Sequence, residues 1–136
     1  HAYFETPLAL AEWADYLIAA LPGSADTRHM VGADVLQALG PRGYLINVAR
    51  GTVVDTAALD RALRSGAIAF AAIDVAEGDP EIPVALLDTP NLQMTPHVAG
   101  QSPEAVERKL GIIRANIEIH LTGGQVLSPV KEMGDA

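Results

Sequence analysis

The stretch Asn47-Val48-Ala49-Arg50-Gly51-Thr52-Val53-Val54-Asp55 decides how this chain is read. An apolar run, Tyr44-Leu45-Ile46, leads into it, and a helical pattern from Thr56 to Ser65 leads out. That order puts Arg50 on a loop at the carboxyl end of a buried strand, where open α/β sheets bind their ligands. A guanidinium is costly to bury unpaired, so it belongs on the loop's surface. Two roles are open to it on these grounds: capping a carbonyl or pairing with Asp55, or gripping a ligand.

Working outward, the same strand–loop–helix alternation recurs. Thr6-Pro7 is a helix opening, an N-cap followed by proline, with the helix expected from Leu8 to about Ala14 and Leu10 and Trp13 on one face. Tyr16 to Leu21 is a continuous apolar run, expected as a strand buried on both faces, and Pro22-Gly23-Ser24 ends it. A second helix fits Ala33 to Leu39, stopped by Gly40-Pro41. The Tyr44–Asn47 strand follows, and then a third helix capped by Asp55 and ended by Gly66. The next strand spans Ile68 to Ile73 and terminates at Asp74. A loop rich in acid and proline follows, Glu77 to Pro83, with Leu86 and Leu87 expected to plug it onto the core. Leu92-Gln93-Met94 is a last short strand, feeding Thr95-Pro96-His97.

Ser102-Pro103-Glu104 opens a long helix to about Leu121. Val106, Leu110, Ile113, Ile117 and Leu121 form one apolar stripe along it. Gly123-Gly124 ends it, and the tail from Gln125 to Ala136 is expected to be extended or loose. Alternating strands and helices mean βαβ units and a parallel sheet, an α/β fold.

Composition agrees. The 136 residues suffice for one domain with a real core, and 49% are hydrophobic against 19% charged, which argues against disorder. Aromatics are scarce, so the core is built from Ala, Val, Leu and Ile. The net charge is −8 and the basic residues are scattered, so no basic stripe offers itself to nucleic acid. No apolar run approaches the roughly 20 residues that span a bilayer, and no signal-peptide pattern is visible. There is no cysteine, which agrees with a reducing cytoplasm. The four histidines are dispersed, at His1, His29, His97 and His120, and none is spaced with other ligands as a metal site requires.

Three strand-end loops carry polar groups of complementary kinds: Arg50, then Asp74 with Asp79 just beyond it, then His97. Arginine offers a planar fork that matches a carboxylate. Histidine gives or takes a proton near neutral pH, and a carboxylate beside it favours the imidazolium. Such a set suits proton transfer to a carbonyl whose neighbour is a carboxylate.

These residues also carry a resemblance. Asn47 to Asp55 is similar to the signature of the D-isomer-specific 2-hydroxyacid dehydrogenases. Gly66-Ala67-Ile68-Ala69-Phe70-Ala71-Ala72-Ile73-Asp74-Val75 and Thr95-Pro96-His97-Val98-Ala99-Gly100 resemble its two later signatures. The likeness runs from about Leu8 to Val130 and, within the family, is nearest to the glyoxylate and hydroxypyruvate reductases. It implies hydride transfer between NAD or NADP and a small 2-oxo acid. Arg50 would bind the substrate carboxylate, and His97 would protonate the carbonyl oxygen. Asp74 would contact the nicotinamide end of the cofactor. Val48 and Ala49 would line the nicotinamide pocket, with Leu21, Pro22 and Gly100, and Thr27 would touch the cofactor from the loop after the first strand. The family's usual glutamate before a proline is here Asp79 before Pro80, one methylene shorter, and it is expected to reach His97 through a water or a shifted loop. Glu77 has the length but not the offset, so Asp79 is preferred.

A larger departure is the glycine fingerprint Gly-x-Gly-x-x-Gly, which holds a dinucleotide pyrophosphate at a helix N-terminus. It occurs nowhere in the chain. Family members are much longer and have a separate substrate domain. The resemblance therefore implies a piece: residues 1–101 as the second half of a Rossmann-type NAD(P)-binding domain, and 102–136 as the helix and tail that return to a substrate domain. Such a piece is expected to bind dinucleotide weakly, to turn over little, and to self-associate or form a homodimer through an exposed sheet edge. A non-enzymatic NAD-sensing corepressor on the same fold is the competing reading. An unrelated receiver-like or flavodoxin-like module ranks behind both, because it leaves the three motifs unexplained.

Overall fold

Each strand of the sheet ends where its neighbour ends. In the computed structural model, which describes residues 2–129, four parallel strands lie in the order β1 (Tyr16–Ala19), β2 (Tyr44–Asn47), β3 (Phe70–Ile73) and β4 (Leu92–Met94). The register aligns Ala19 with Asn47, Asn47 with Ile73, and Ile73 with Met94. The loops that leave these four residues therefore emerge from one rim. Helix α1 (Pro7–Trp13) precedes β1, helices α2 (Ala33–Leu39) and α3 (Thr56–Ser65) and the single turn α4 (Val84–Leu87) connect the strands, and a 3₁₀ turn spans Gly51–Val53.

The helix boundaries follow local chemistry. Thr6 accepts a hydrogen bond from Ala9 N at 3.2 Å and Asp55 accepts one from Ala58 N at 2.9 Å, each satisfying a first-turn amide. Gly66, at φ 72°, closes α3 in the left-handed conformation.

One sheet face carries the core. Leu17, Leu45, Ala71 and Ile73 meet Ala11, Leu36, Leu59 and Leu63 of the helices. The opposite face is open, so the expectation that the first strand is buried on both sides is corrected. Leu17 and Ala19 are buried while Tyr16 and Ile18 are 63% and 60% exposed. The strand also stops at Ala19 rather than Leu21, and β3 begins at Phe70 rather than Ile68. Ile68 is nonetheless fully buried, in the turn before the strand. On the open face Tyr16 stacks on Tyr44 at 4.9 Å between ring centroids, and Tyr44 lies 6.3 Å from Phe70. In α1 the inward residue is Ala11, not Trp13, which stays exposed and packs on Phe4. Of the two expected plug residues Leu86 is buried and Leu87 exposed, as a single helical turn can aim only one of them inward.

The chain divides into two units, His1–Ala99 and Gly100–Ala136. The second contains α5 (Pro103–Leu121) and a short segment beyond it. Ser102 caps α5 through Ala105 N, and none of the helix residues is buried, the apolar stripe included. Past the helix, Leu127 N donates to Asn116 Oδ1 and Asn116 Nδ2 to Ser128 Oγ, so the start of the tail is tied to α5. The rest of the expected loose tail lies outside the described residues. Among those described, no helix is long and apolar enough to cross a membrane.

Candidate active site

The arginine loop is shaped by Asn47, the last residue of β2, which is 1% exposed. Its Oδ1 accepts from Ala49 N at 3.0 Å and its Nδ2 donates to the Arg50 carbonyl at 3.2 Å. A buried amide is thus fully used in folding the chain back on itself, as Asx turns do. Arg50 emerges extended and exposed, and its Nη1 donates to the Ala49 carbonyl at 2.7 Å. Among the described residues no carboxylate pairs with it. Asp55 is occupied in capping α3 and forms no such pair.

Two glycines allow this arrangement. A Cβ on Gly23 would sit 2.7 Å from Arg50 Cγ, so the arginine stem passes over bare backbone. A Cβ on Gly51 would overlap the Ala76 carbonyl, so the loops after β2 and β3 touch main chain to main chain.

The histidine loop is built on Asp74. This carboxylate is 6% exposed and accepts from Thr95 Oγ1 (2.5 Å), Val98 N (2.8 Å) and Ala99 N (2.9 Å). Burial pushes its acidity toward the neutral form. The hydrogen bonds from Thr95, Ala99 and Val98, with the nearby His97 charge, outweigh that and hold it below the usual carboxylate range. His97 adopts a left-handed backbone, φ 56°, while its N–H donates to the Asp74 carbonyl at 2.9 Å. A non-glycine residue there is strained unless its surroundings impose it, and such residues cluster at functional sites. Its ring reaches Asp79, with Nδ1 2.5 Å from Oδ2, and both side chains are partly exposed. The shorter acid thus touches the ring directly, and the expected bridging water is not needed. A carboxylate at Nδ1 selects the tautomer with its proton there and leaves Nε2 for a substrate.

Asp79 lines two hollows. One, of about 360 Å³, lies between it and Gly23, Arg50, Thr52 and Ala76. The other, of about 130 Å³, lies between it and Asp74, Pro80, Thr95 and His97. Arg50, Asp79 and His97 therefore share the rim set by the strand register.

The other candidate residues differ in placement. Val48 is 42% exposed and Ala49 is buried, and Val48 N donates to the Ala19 carbonyl. Leu21 packs partly on the core. The Pro22 carbonyl accepts from Thr27 Oγ1 at 3.1 Å, and that hydroxyl also accepts from Ser24 N at 2.7 Å, so Thr27 is engaged in its own turn. Gly100 opens the second unit, where its carbonyl accepts from Lys109 Nζ. Glu77 does not approach His97. It accepts from His29 Nε2 at 2.8 Å and Arg28 Nη2 at 3.0 Å. The structural parts of Asn47, Thr95, Arg28 and His29 were missed in the sequence. Only Asn47 left a trace there, as an amide closing an apolar run.

The fold is thus a parallel α/β unit whose carboxyl rim gathers an arginine, an acid and a histidine. The chain belongs to the family described as D-isomer specific 2-hydroxyacid dehydrogenase, NAD binding domain, whose profile matches residues 1–99. It is 37% identical over 130 residues to a glyoxylate/hydroxypyruvate reductase A of Arabidopsis thaliana, covering 96% of this chain and 42% of that protein. It is 40% identical over 129 residues to a 2-ketogluconate reductase of Gluconobacter oxydans, covering 94% and 42%. Among solved structures it resembles the NADPH-dependent glyoxylate/hydroxypyruvate reductase of Sinorhizobium meliloti in complex with NADP and malonate. The TM-score there is 0.86 at 45% identity, covering 96% of this chain and 41% of that one. The chain thus spans about two fifths of the length of these relatives.

Proposed function

We propose that this chain supplies the arginine–acid–histidine side of an oxidoreductase that interconverts small 2-oxo acids and D-2-hydroxy acids with NAD or NADP. The observation that carries the proposal is the Asp79–His97 pair on the same rim as an Arg50 that has no acidic partner among the described residues. Arg50 binds the substrate carboxylate through its planar fork. His97 Nε2 gives its proton to the carbonyl oxygen in reduction and takes it back in oxidation, and Asp79 stabilises the imidazolium at Nδ1.

The residues present fit the nicotinamide end of a dinucleotide. Val48 offers half-exposed apolar surface at the rim, with Pro22 beyond β1, while no glycine fingerprint among the 136 residues offers a pyrophosphate cradle. When bound, the cofactor supplies the hydride. Asp74 retains little exposed surface for that cofactor, so its part in this reading is to hold the His97 loop. Residues 1–101 correspond here to the later half of the nucleotide-binding domain and 102–136 to the crossing helix and tail. A homodimer or other self-association is supported by the unpaired edge of β1 and the apolar face around Tyr16 and Ile18. A cytoplasmic setting is supported only by the lack of cysteine.

The test is reduction of glyoxylate and hydroxypyruvate with NADH or NADPH by the protein carrying this chain, beside its Arg50→Ala and His97→Ala forms. Loss of turnover in both is expected. Full turnover without His97 refutes the acid/base assignment, and dinucleotide binding with no reduction of any 2-oxo acid favours a sensor.

A further inference from the structure

Glu77 lies two residues before Asp79 and is the hub of a network that the proposed reaction does not use. Its Oε1 accepts from both Arg28 and His29, and its Oε2 from Thr56 N at 3.4 Å, the first residue of α3. Burial disfavours its charge, but the hydrogen bond from His29, then those from Thr56, outweigh that and keep it ionised below the usual carboxylate range. His29 is itself held in the left-handed region, φ 51°, with its N–H donating to the Thr52 carbonyl at 2.8 Å. Thr52 is two residues past Arg50. Three loops at the rim, those after β1, β2 and β3, are thus stitched together through one carboxylate.

The turn that displays Asp79 begins at this hub. Asp79 N donates to the Ala76 carbonyl at 3.2 Å, enclosing Glu77 and Gly78, and Ala76 is the residue pressed against Gly51. Asp79 and His97 are both substantially exposed, so little packing around them holds the acid in place. Glu77 is less exposed, with 23% of its side chain accessible against 38% for Asp79.

We propose that Glu77 is a positioning residue: by clamping the Ala76–Asp79 turn to His29, Arg28 and α3, it sets the Asp79 carboxylate against His97 Nδ1. The proposal deepens the reading of Asp79 and His97 as an acid/base pair and rests on it. Both acids of this loop then matter, one by contact with the histidine and the other by aiming it. Hydrogen bonds to a charged acceptor suit that task, since charge-assisted bonds are shorter and stronger than neutral ones.

The test reads the His97 ring in the ¹⁵N-labelled protein carrying this chain, with no substrate present. Long-range imidazole correlations distinguish a proton fixed on Nδ1 from a tautomer mixture. The native chain is expected to show the Nδ1–H form, and Asp79→Ala, which removes the acceptor, to lose it. Glu77→Ala is expected to reduce the Nδ1–H signal to less than half while the core amide resonances of β2 and β3 stay in place. Glu77→Asp is expected to recover part of it. Should Glu77→Ala unfold the chain, His29→Ala removes one clamp partner and is expected to weaken the same signal. An undiminished Nδ1–H signal in a folded Glu77→Ala or His29→Ala chain overturns the positioning role. An Asp79→Ala chain with an unaltered His97 ring overturns the underlying pair instead.

Discussion

Asp79 Oδ2 and His97 Nδ1 lie 2.5 Å apart although the two residues sit on different loops, after β3 and after β4. A main-chain bond from His97 N to the Asp74 carbonyl joins the two loops at the rim that the strand register sets, and the side-chain contact is made there. Replacing Asp79 by Asn keeps the shape and removes the charge that favours the imidazolium. Turnover of a 2-oxo acid is expected to fall by roughly 10²-fold and the pH–rate profile to change shape. Asp79→Glu is expected to retain most activity, since it keeps the carboxylate. Steady-state kinetics over a range of pH checks both, and an Asn variant with the native profile would remove Asp79 from the mechanism.

Arg50 is exposed and without an acidic partner among the described residues. Lysine in its place keeps the charge and loses the planar fork. The expected result is a rise in KM for the 2-oxo acid of roughly ten- to a hundredfold, with a smaller change in kcat. Equal KM values for Arg50→Lys and the native enzyme would mean that the guanidinium does not grip the substrate carboxylate.

Two ionised carboxylates connect stability to pH. Asp74 is held below its ordinary range, burial being outweighed by hydrogen bonds from Thr95, Ala99 and Val98; in Glu77 burial is outweighed by the bonds from His29 and Thr56. A carboxyl whose acidity is increased by folding adds stability above the range in which unfolded carboxylates titrate, about pH 4. That contribution is lost as pH falls through the folded value. Urea unfolding followed from neutral into acid solution should therefore show stability dropping on the acid side. Asp74→Asn should flatten part of that drop, and an acid slope identical to the native one would remove Asp74 from the linkage.

Gly51 lies against the backbone of Ala76, with a hypothetical Cβ also 2.6 Å from Glu77 N. Neither obstacle is a flexible side-chain end, so Gly51→Ala must part the loops after β2 and β3. A loss of roughly 2–3 kcal/mol is expected, measured by the urea midpoint, together with reduced activity because both loops carry site residues. A loss well under about 1 kcal/mol would show that the two loops separate freely.

Much of this molecule was legible in the order of its residues. The caps Thr6, Asp55 and Ser102 act on amides only three residues away, and α2 and α3 lie where the pattern puts them. Alternating apolar runs and helical stripes imply parallel strands, and parallel strands leave Arg50, Asp74 and His97 at one rim. These are consequences of local backbone geometry, which a single sequence records. Tertiary structure alone decided which sheet face is covered, that Ala11 rather than Trp13 turns inward, and which of two similar acids reaches His97. Glu77 and Asp79 are both near enough in the chain to serve His97. Their assignment depends on where His29, Arg28 and Thr56 arrive from elsewhere, and such long-range convergence leaves no periodic trace in the sequence.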